Sequence, residues 1–243
     1  MLCFNRMSLS KETLNSYLNT ISVPYELIIV DNASTDSTGE WLKGIIKDTR
    51  IREVIHMENN DPATALNKGL ATCTGAYLHV MENDYIYLDG WDKYVLDCFN
   101  EIANLGQLCI CSGDRRLIGE HHRNLVYLSM RNVVSSSVFQ RTIFCDHHIR
   151  WQNIYKGTQL DDEEFSRAVK EAGFIVAWPD KRIAKAVGFF PEELKREPDY
   201  HIRKQRQILR ACLHGSYQCW GIKDAMGRLF MLYWAKFTKR YLP

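Results

Sequence analysis

Residues 26–38 read ELIIVDNASTDST. Four apolar side chains, Leu27 to Val30, run directly into Asp31, and small polar residues with a second carboxylate, Asp36, follow at once. A short β-branched run closed by turn formers is the pattern of a buried strand that ends in a loop. The strand therefore carries a carboxylate to its tip. Further apolar runs occur at Val54–Met57, Ala76–Met81 and Leu108–Cys111, alternating with helical patterns near 11–20, 37–48, 62–73 and 89–103. That alternation predicts an α/β fold with a mainly parallel central sheet flanked by helices, whose ligands bind beyond the carboxyl ends of the strands. Ser34 or Thr35 is placed to cap the following helix, with Asp36 beside its positively polarised start. Asp31 has no such local task visible in the sequence, and is expected to face a ligand.

The chain has 243 residues and a formal charge of +2, from 31 basic against 29 acidic side chains. That balance does not call for nucleic acid as a partner, and 46% hydrophobic content supports a sizeable core in one large domain or a domain with an appendage. The eight cysteines include no CxxC pair, and the opening MLCFNRMSLS lacks the apolar centre of a signal peptide. Cys109 and Cys111 share a strand face without a second ligand pair, so a structural role is expected. No uncharged apolar run is long enough to span a bilayer. A cytoplasmic protein, peripheral to the membrane at most, is the expectation.

A second carboxylate group follows the run Ala76–Met81. Glu82 and Asp84 flank Asn83, and as first and third residues at a strand end they project to one side. Two oxygen donors of this kind suit magnesium or manganese, which are held by one or two carboxylates plus substrate phosphates. Such triplets are common on solvated surfaces, and the strand before this one sets it apart. A third group, Asp161 to Glu164, crowds a helix start marked by Phe165, Ala168, Val169 and Ala172 at helical spacing. In isolation that run reads as a solvated, well-capped helix terminus.

Taken in order, FNR at 4–6, ELIIVDNASTDST, and NNDPATALNKGLATCTGAYLHVMEND at 59–84 resemble the nucleotide-sugar glycosyltransferases of the GT-A fold, in particular family 2. The resemblance covers roughly residues 1–95. It implies a Rossmann-like central sheet and a GT-A domain at 1–195, followed by a helical C-terminal extension at 196–243. It assigns donor-nucleotide contacts to Asn5, Asp31, Asn67 and Glu82, and the metal contact to Asp84 within the position of the family's DxD motif. A downstream "ED" pair before an aromatic residue supplies the family's general base. Here that pair is Asp161 and Asp162, which makes Asp162 the base and Asp161 its partner, ahead of Glu163 and Glu164. The implied activity moves sugar from a nucleoside-diphosphate sugar, a UDP-sugar first, to an acceptor hydroxyl, with inversion and with Mn2+ or Mg2+ as cofactor. The acceptor is left open among a glycan, a lipid-linked glycan, a protein and a modified nucleic acid.

Three departures from the family pattern stand out. Glutamate replaces aspartate at position 82, the stretch Ile175–Phe190 lacks the family's metal-binding histidine, and the first strand is short. Lys181, Arg182 or Lys185 could neutralise a diphosphate instead. The missing histidine and the short first strand support an alternative, a non-catalytic GT-A-like module that binds a nucleotide or glycan or scaffolds a partner complex. A nucleotidyltransferase would need a Gly-rich basic loop near the N-terminus, which MLCFNRMSLSKETL does not contain. The pairs His121–His122 and His147–His148 lack the i, i+4 spacing of helical zinc ligands and read as loop residues. VVSSSVFQRT at 133–142 reads either as an acceptor-side strand or as an edge strand. From Pro198 basic and apolar residues alternate to the end, consistent with helices that pack on the domain, self-associate or touch a membrane surface.

Overall fold

The computed structural model describes residues 1–110, 121–128, 136–152 and 160–187. The chain divides into two units, Met1–Ala186 and Val187–Pro243. The expected extension at 196–243 lies outside the described residues, as do Cys111 and Ser135.

The first unit begins β1 (Leu2–Cys3), α1 (Met7–Thr20), β2 (Ile28–Asp31), α2 (Thr38–Ile45), β3 (Glu53–His56) and α3 (Pro62–Thr72). It continues β4 (Tyr77–Val80), β5 (Tyr85–Tyr87), α4 (Trp91–Glu101), β6 (Leu105–Cys109), β7 (His121–Arg123) and β8 (Val126–Leu128). It ends β9 (Ser137–Gln140), α5 (Arg141–Cys145), α6 (Leu160–Glu171), β10 (Ile175–Pro179) and β11 (Ala184–Ala186). Strands β1, β2 and β3 form a parallel ladder, with Cys3 opposite Asp31 and Asp31 opposite His56. The Leu2 amide donates to the Met81 carbonyl at 2.9 Å, joining this ladder to the end of β4. Beyond it runs a six-stranded sheet in the order β4-β9-β6-β10-β8-β7.

The parallel arrangement expected from the alternating pattern holds in β1–β3 and between β6 and β10. β9 runs antiparallel between β4 and β6, so this part of the sheet is mixed. The stretch at 133–142 thus supplies an internal strand, not an edge. Val138 and Phe139 are buried there, as a strand paired on both sides requires.

Local chemistry sets the helices that carry candidate residues. Asp61 caps α3, accepting the Thr64 amide at 3.2 Å, and Pro62 occupies the first turn where no donor is needed. α6 buries Phe165, Ser166 and Val169 on one face. It closes at Gly173, whose φ of 89° is the left-handed geometry that glycine tolerates, with the Phe174 amide returning to the Val169 carbonyl at 3.2 Å. One core cluster gathers Phe139, Ile143, Trp151, Phe165, Val176 and Trp178, and a smaller one gathers Ile28, Val30, Ile55 and Ala65.

Candidate functional site

The residues after β1, β2 and β4 are knitted together at the carboxyl ends of those strands. Asn5 and Arg6 both have left-handed backbones, with φ of 55° and 62°, a conformation costing a non-glycine residue about 1 kcal/mol or more. Asn5 Oδ1 accepts the Thr35 amide at 2.7 Å and the Asp36 amide at 3.2 Å, while its own amide donates to Ser34 Oγ at 2.9 Å. Asp36 serves the helix starts. Partial burial pushes its carboxyl up, but bonds from the Thr38 hydroxyl and amide and from the Met7 and Arg6 amides outweigh burial and hold its pKa below the ordinary value.

Asp31 does have local tasks, which the sequence did not display. It is buried, its Oδ1 accepts the Ser34 amide at 3.0 Å, and its Oδ2 lies 3.1 Å from His56 Nδ1 on β3. A Cβ at Gly39 would stand 3.2 Å from that same oxygen, so α2 also approaches it closely.

Asp84 meets Arg6 in a buried ion pair, Nη1 to Oδ2 at 3.0 Å, with side chains 6% and 8% exposed. The intervening Asn83 donates to the Asn5 carbonyl at 3.2 Å and to Ser10 Oγ at 2.8 Å. The Glu82 amide donates to Ser136 Oγ at 3.2 Å, and that hydroxyl in turn donates to the Val80 carbonyl at 2.7 Å. Residues 82–84 are therefore gripped from β1, α1 and the start of β9. Arg6 and Ser136 carry no signal in the sequence for these roles, because each partner lies 54 residues or more away.

A second group forms around α6. Asp162 Oδ1 accepts the Trp151 indole N–H at 2.8 Å. Asn67 on α3 is committed to the Trp151 backbone in both directions, donating to its carbonyl at 2.8 Å and accepting its amide at 3.1 Å. Glu164 is tied to Arg167, whose Nε donates to it at 2.8 Å. Burial raises the Glu163 pKa, and the charges of Asp162 and Glu164 add to that rise. Asp161 lies in the first turn of α6, and its side chain is outside the described residues.

Lys181, His122 and His147, also singled out in the sequence, are engaged elsewhere. Lys181 Nζ sits 4.3 Å over the Tyr94 ring. His121–His122 belong to strand β7, not a loop, and His122 Nε2 is 3.0 Å from Asp180. His147 packs edge-on against Phe174. A cavity of about 330 Å³ lies beside β2 and β4, with Tyr17, Leu27, Tyr77, His79 and Trp91 among its lining. None of the candidate site residues lines it, so its size alone does not make it the reactive crevice.

Among the described residues no group of three or more His, Cys, Asp or Glu is arranged to hold an ion. The donor chemistry of Glu82 and Asp84 still fits magnesium or manganese, because such ions use few carboxylates and take the remaining oxygens from phosphates. Among the described residues no helix is long and apolar enough to cross a membrane.

Comparison with known proteins shows the family and the fold. The sequence model of the family described as "Glycosyl transferase family 2" matches residues 1–156. An uncharacterized glycosyltransferase of Rickettsia bellii is 30% identical over 84 residues, which are 35% of this chain and 12% of that protein. The chain thus spans about an eighth of that relative's length. TarS of S. aureus, solved in complex with UDP, aligns with a TM-score of 0.60 at 16% identity, covering 95% of this chain and 68% of that one. The mannosyltransferase PcManGT from Pyrobaculum calidifontis, solved with GDP-Man and Mn2+, also gives 0.60, at 15% identity over 98% of this chain and 70% of its own. These likenesses establish the GT-A fold, and the match over residues 1–156 makes the chain a member of glycosyl transferase family 2.

Proposed function

We propose that the chain transfers a sugar from a nucleoside-diphosphate sugar, a UDP-sugar first, to an acceptor hydroxyl by a single inverting displacement. The observation that carries this reading is the pairing of Asp162 with Trp151. The indole N–H fixes one oxygen of Asp162, whereas Glu164 is engaged by Arg167, which favours Asp162 as the described carboxylate of this run to act as base. In the step, the acceptor oxygen bonds to the anomeric carbon as its proton passes to Asp162. The bond from that carbon to the diphosphate breaks on the opposite face, and the nucleoside diphosphate leaves.

Asp84 and Glu82 are the residues that would hold a divalent cation, with Glu82 also near the donor ribose. When bound, the cation supplies Lewis-acid stabilisation of the departing diphosphate. Arg6 supplies a counter-charge for Asp84, a carboxylate that is otherwise costly to bury, and a cation held there would supply another. Asn5 and Asp31 hold the loops that frame the nucleotide, by the bonds they make to residues 34–36 and 56. These residues stand at the carboxyl ends of β1, β2 and β4, where open α/β sheets take ligands.

Thermal-shift measurements with UDP-, GDP-, CMP- and dTDP-sugars, with and without Mn2+, test the donor site, because a ligand of the folded state raises the melting temperature. One donor should stabilise the protein only with metal, and Asp84→Asn should abolish that shift. Asp162→Asn should keep the shift and stop transfer; loss of transfer in Asp161→Asn alone would move the base by one residue. If no donor stabilises the protein, the chain is the non-catalytic binding module instead.

A further inference from the structure

Asp162 is held by more than its helix. Trp151 is 4% exposed, and its ring stacks on Phe165 of α6 with centroids 3.7 Å apart and planes 14° from parallel. It also packs against Phe139 of β9, with centroids 5.7 Å apart. An indole N–H can only donate, so its 2.8 Å contact with Asp162 Oδ1 favours the carboxylate in its accepting, ionised form. The stack leaves the ring no room to turn. Its backbone is fixed as well, since the side-chain amide of Asn67 donates from its nitrogen to the Trp151 carbonyl and accepts the Trp151 amide at its oxygen.

We infer that Trp151, clamped by Asn67, is a positioning residue that sets the orientation of the Asp162 carboxylate for proton abstraction from the acceptor. The inference rests on the reading of Asp162 as the base. It gives Asn67 a task through Trp151, in place of the direct donor contact the sequence suggested. A base must lie within hydrogen-bond reach of its proton, and displacement of a reacting group by about 1 Å can cost about 100-fold in rate. An aromatic ring locked by stacking, by a core contact and by two backbone hydrogen bonds is a rigid way to hold one carboxylate oxygen in place.

The test uses the full chain with Mn2+ and reads nucleotide release from UDP-GlcNAc, UDP-glucose, UDP-galactose and GDP-mannose, with water as acceptor, beside the donor-induced thermal shift. Trp151→Phe keeps an aromatic ring and loses the donor. It should lower kcat by about 10- to 100-fold while KM for the donor and the donor-induced shift stay at wild-type values. Because a smaller ring could also loosen the core, a second variant carries β-(3-benzothienyl)alanine at position 151. It has the shape of tryptophan with sulfur in place of N–H, and should show the same loss of kcat at an unchanged melting temperature. In the Asp162→Asn background neither change should reduce the rate further, since residues acting as one unit are not additive. Wild-type kcat in the benzothienyl variant, with Asp162→Asn inactive, would overturn the inference and leave the base assignment standing. Wild-type turnover in Asp162→Asn, or none in the wild-type chain with any of the four donors, would overturn the base reading and this inference with it.

Discussion

At the scale of single residues, the site depends on charges removed from water and answered by specific partners. Arg6 reaches Asp84 from a left-handed backbone position at the start of α1, and the pair is almost fully buried. Removing one member of a buried pair leaves the other uncompensated, at a cost of about 3–5 kcal/mol, whereas replacing both with apolar side chains is often close to neutral. Arg6→Met should therefore destabilise the chain by about 3 kcal/mol or more, and Arg6→Met with Asp84→Leu should recover much of that loss. Urea denaturation of the two single variants and the double variant measures the coupling. Additive losses would mean that the 3.0 Å contact contributes no specific energy. The carboxylates themselves were legible in the sequence, because Asp31, Glu82 and Asp84 each follow an apolar run of strand length. Their partners were not. Arg6 is 78 residues from Asp84 and Trp151 is 11 from Asp162, and only tertiary packing places either beside the carboxylate.

At the scale of elements, close approach between helix, strand and loop decides what the layers accept. A Cβ added at Gly106, in the middle of β6, would stand 2.5 Å from Phe174 Cβ and 2.9 Å from its Cγ. Those atoms are fixed by the backbone of the segment that follows α6, so the strand itself has to move. At Gly69 on α3 the nearest atom is Val30 Cγ2 at 2.8 Å, the end of a side chain that can turn about χ1. Overpacking of a core costs about 1–3 kcal/mol, and in a chain of this length each kcal/mol lowers Tm by about 2–4 °C. Gly106→Ala should fall near the upper end of that range and Gly69→Ala near the lower. Calorimetry of both variants checks the order, and equal Tm values would show that the sheet at β6 yields as easily as a side chain at β2. The helices α1 to α4 and the strands β2, β3, β4 and β6 were readable from apolar periodicity. β9 was not readable as a central strand, because its run of Val138 and Phe139 is as short as that of an edge strand and says nothing of its neighbours.

At the scale of the whole molecule, the fold places polar chemistry at the carboxyl ends of β1, β2 and β4 and an apolar cavity beside β2 and β4. His79 of β4 faces that cavity among Tyr17, Tyr87 and Trp91, with its Nε2 3.1 Å from the Tyr87 hydroxyl. Burial pushes its pKa down from the ordinary 6.5 to about 3, and the positive charge of the chain's amino terminus adds to the effect. The sign follows from proton binding. Between those two values the unfolded chain holds a proton on this imidazole and the folded chain does not, so acid favours unfolding. Nothing is lost above pH 6.5, and the loss grows as pH falls toward 3, reaching about 3 kcal/mol near pH 4. The carboxylates and the amino terminus titrate in a variant such as His79→Gln as they do in the natural chain, so the difference between the two proteins isolates the imidazole. Unfolding free energies of both, measured from pH 7 to pH 4, should therefore converge as the natural protein loses stability faster. Parallel curves would mean that His79 takes up its proton in the folded state, and that the space beside β4 is wet enough to hold an imidazolium.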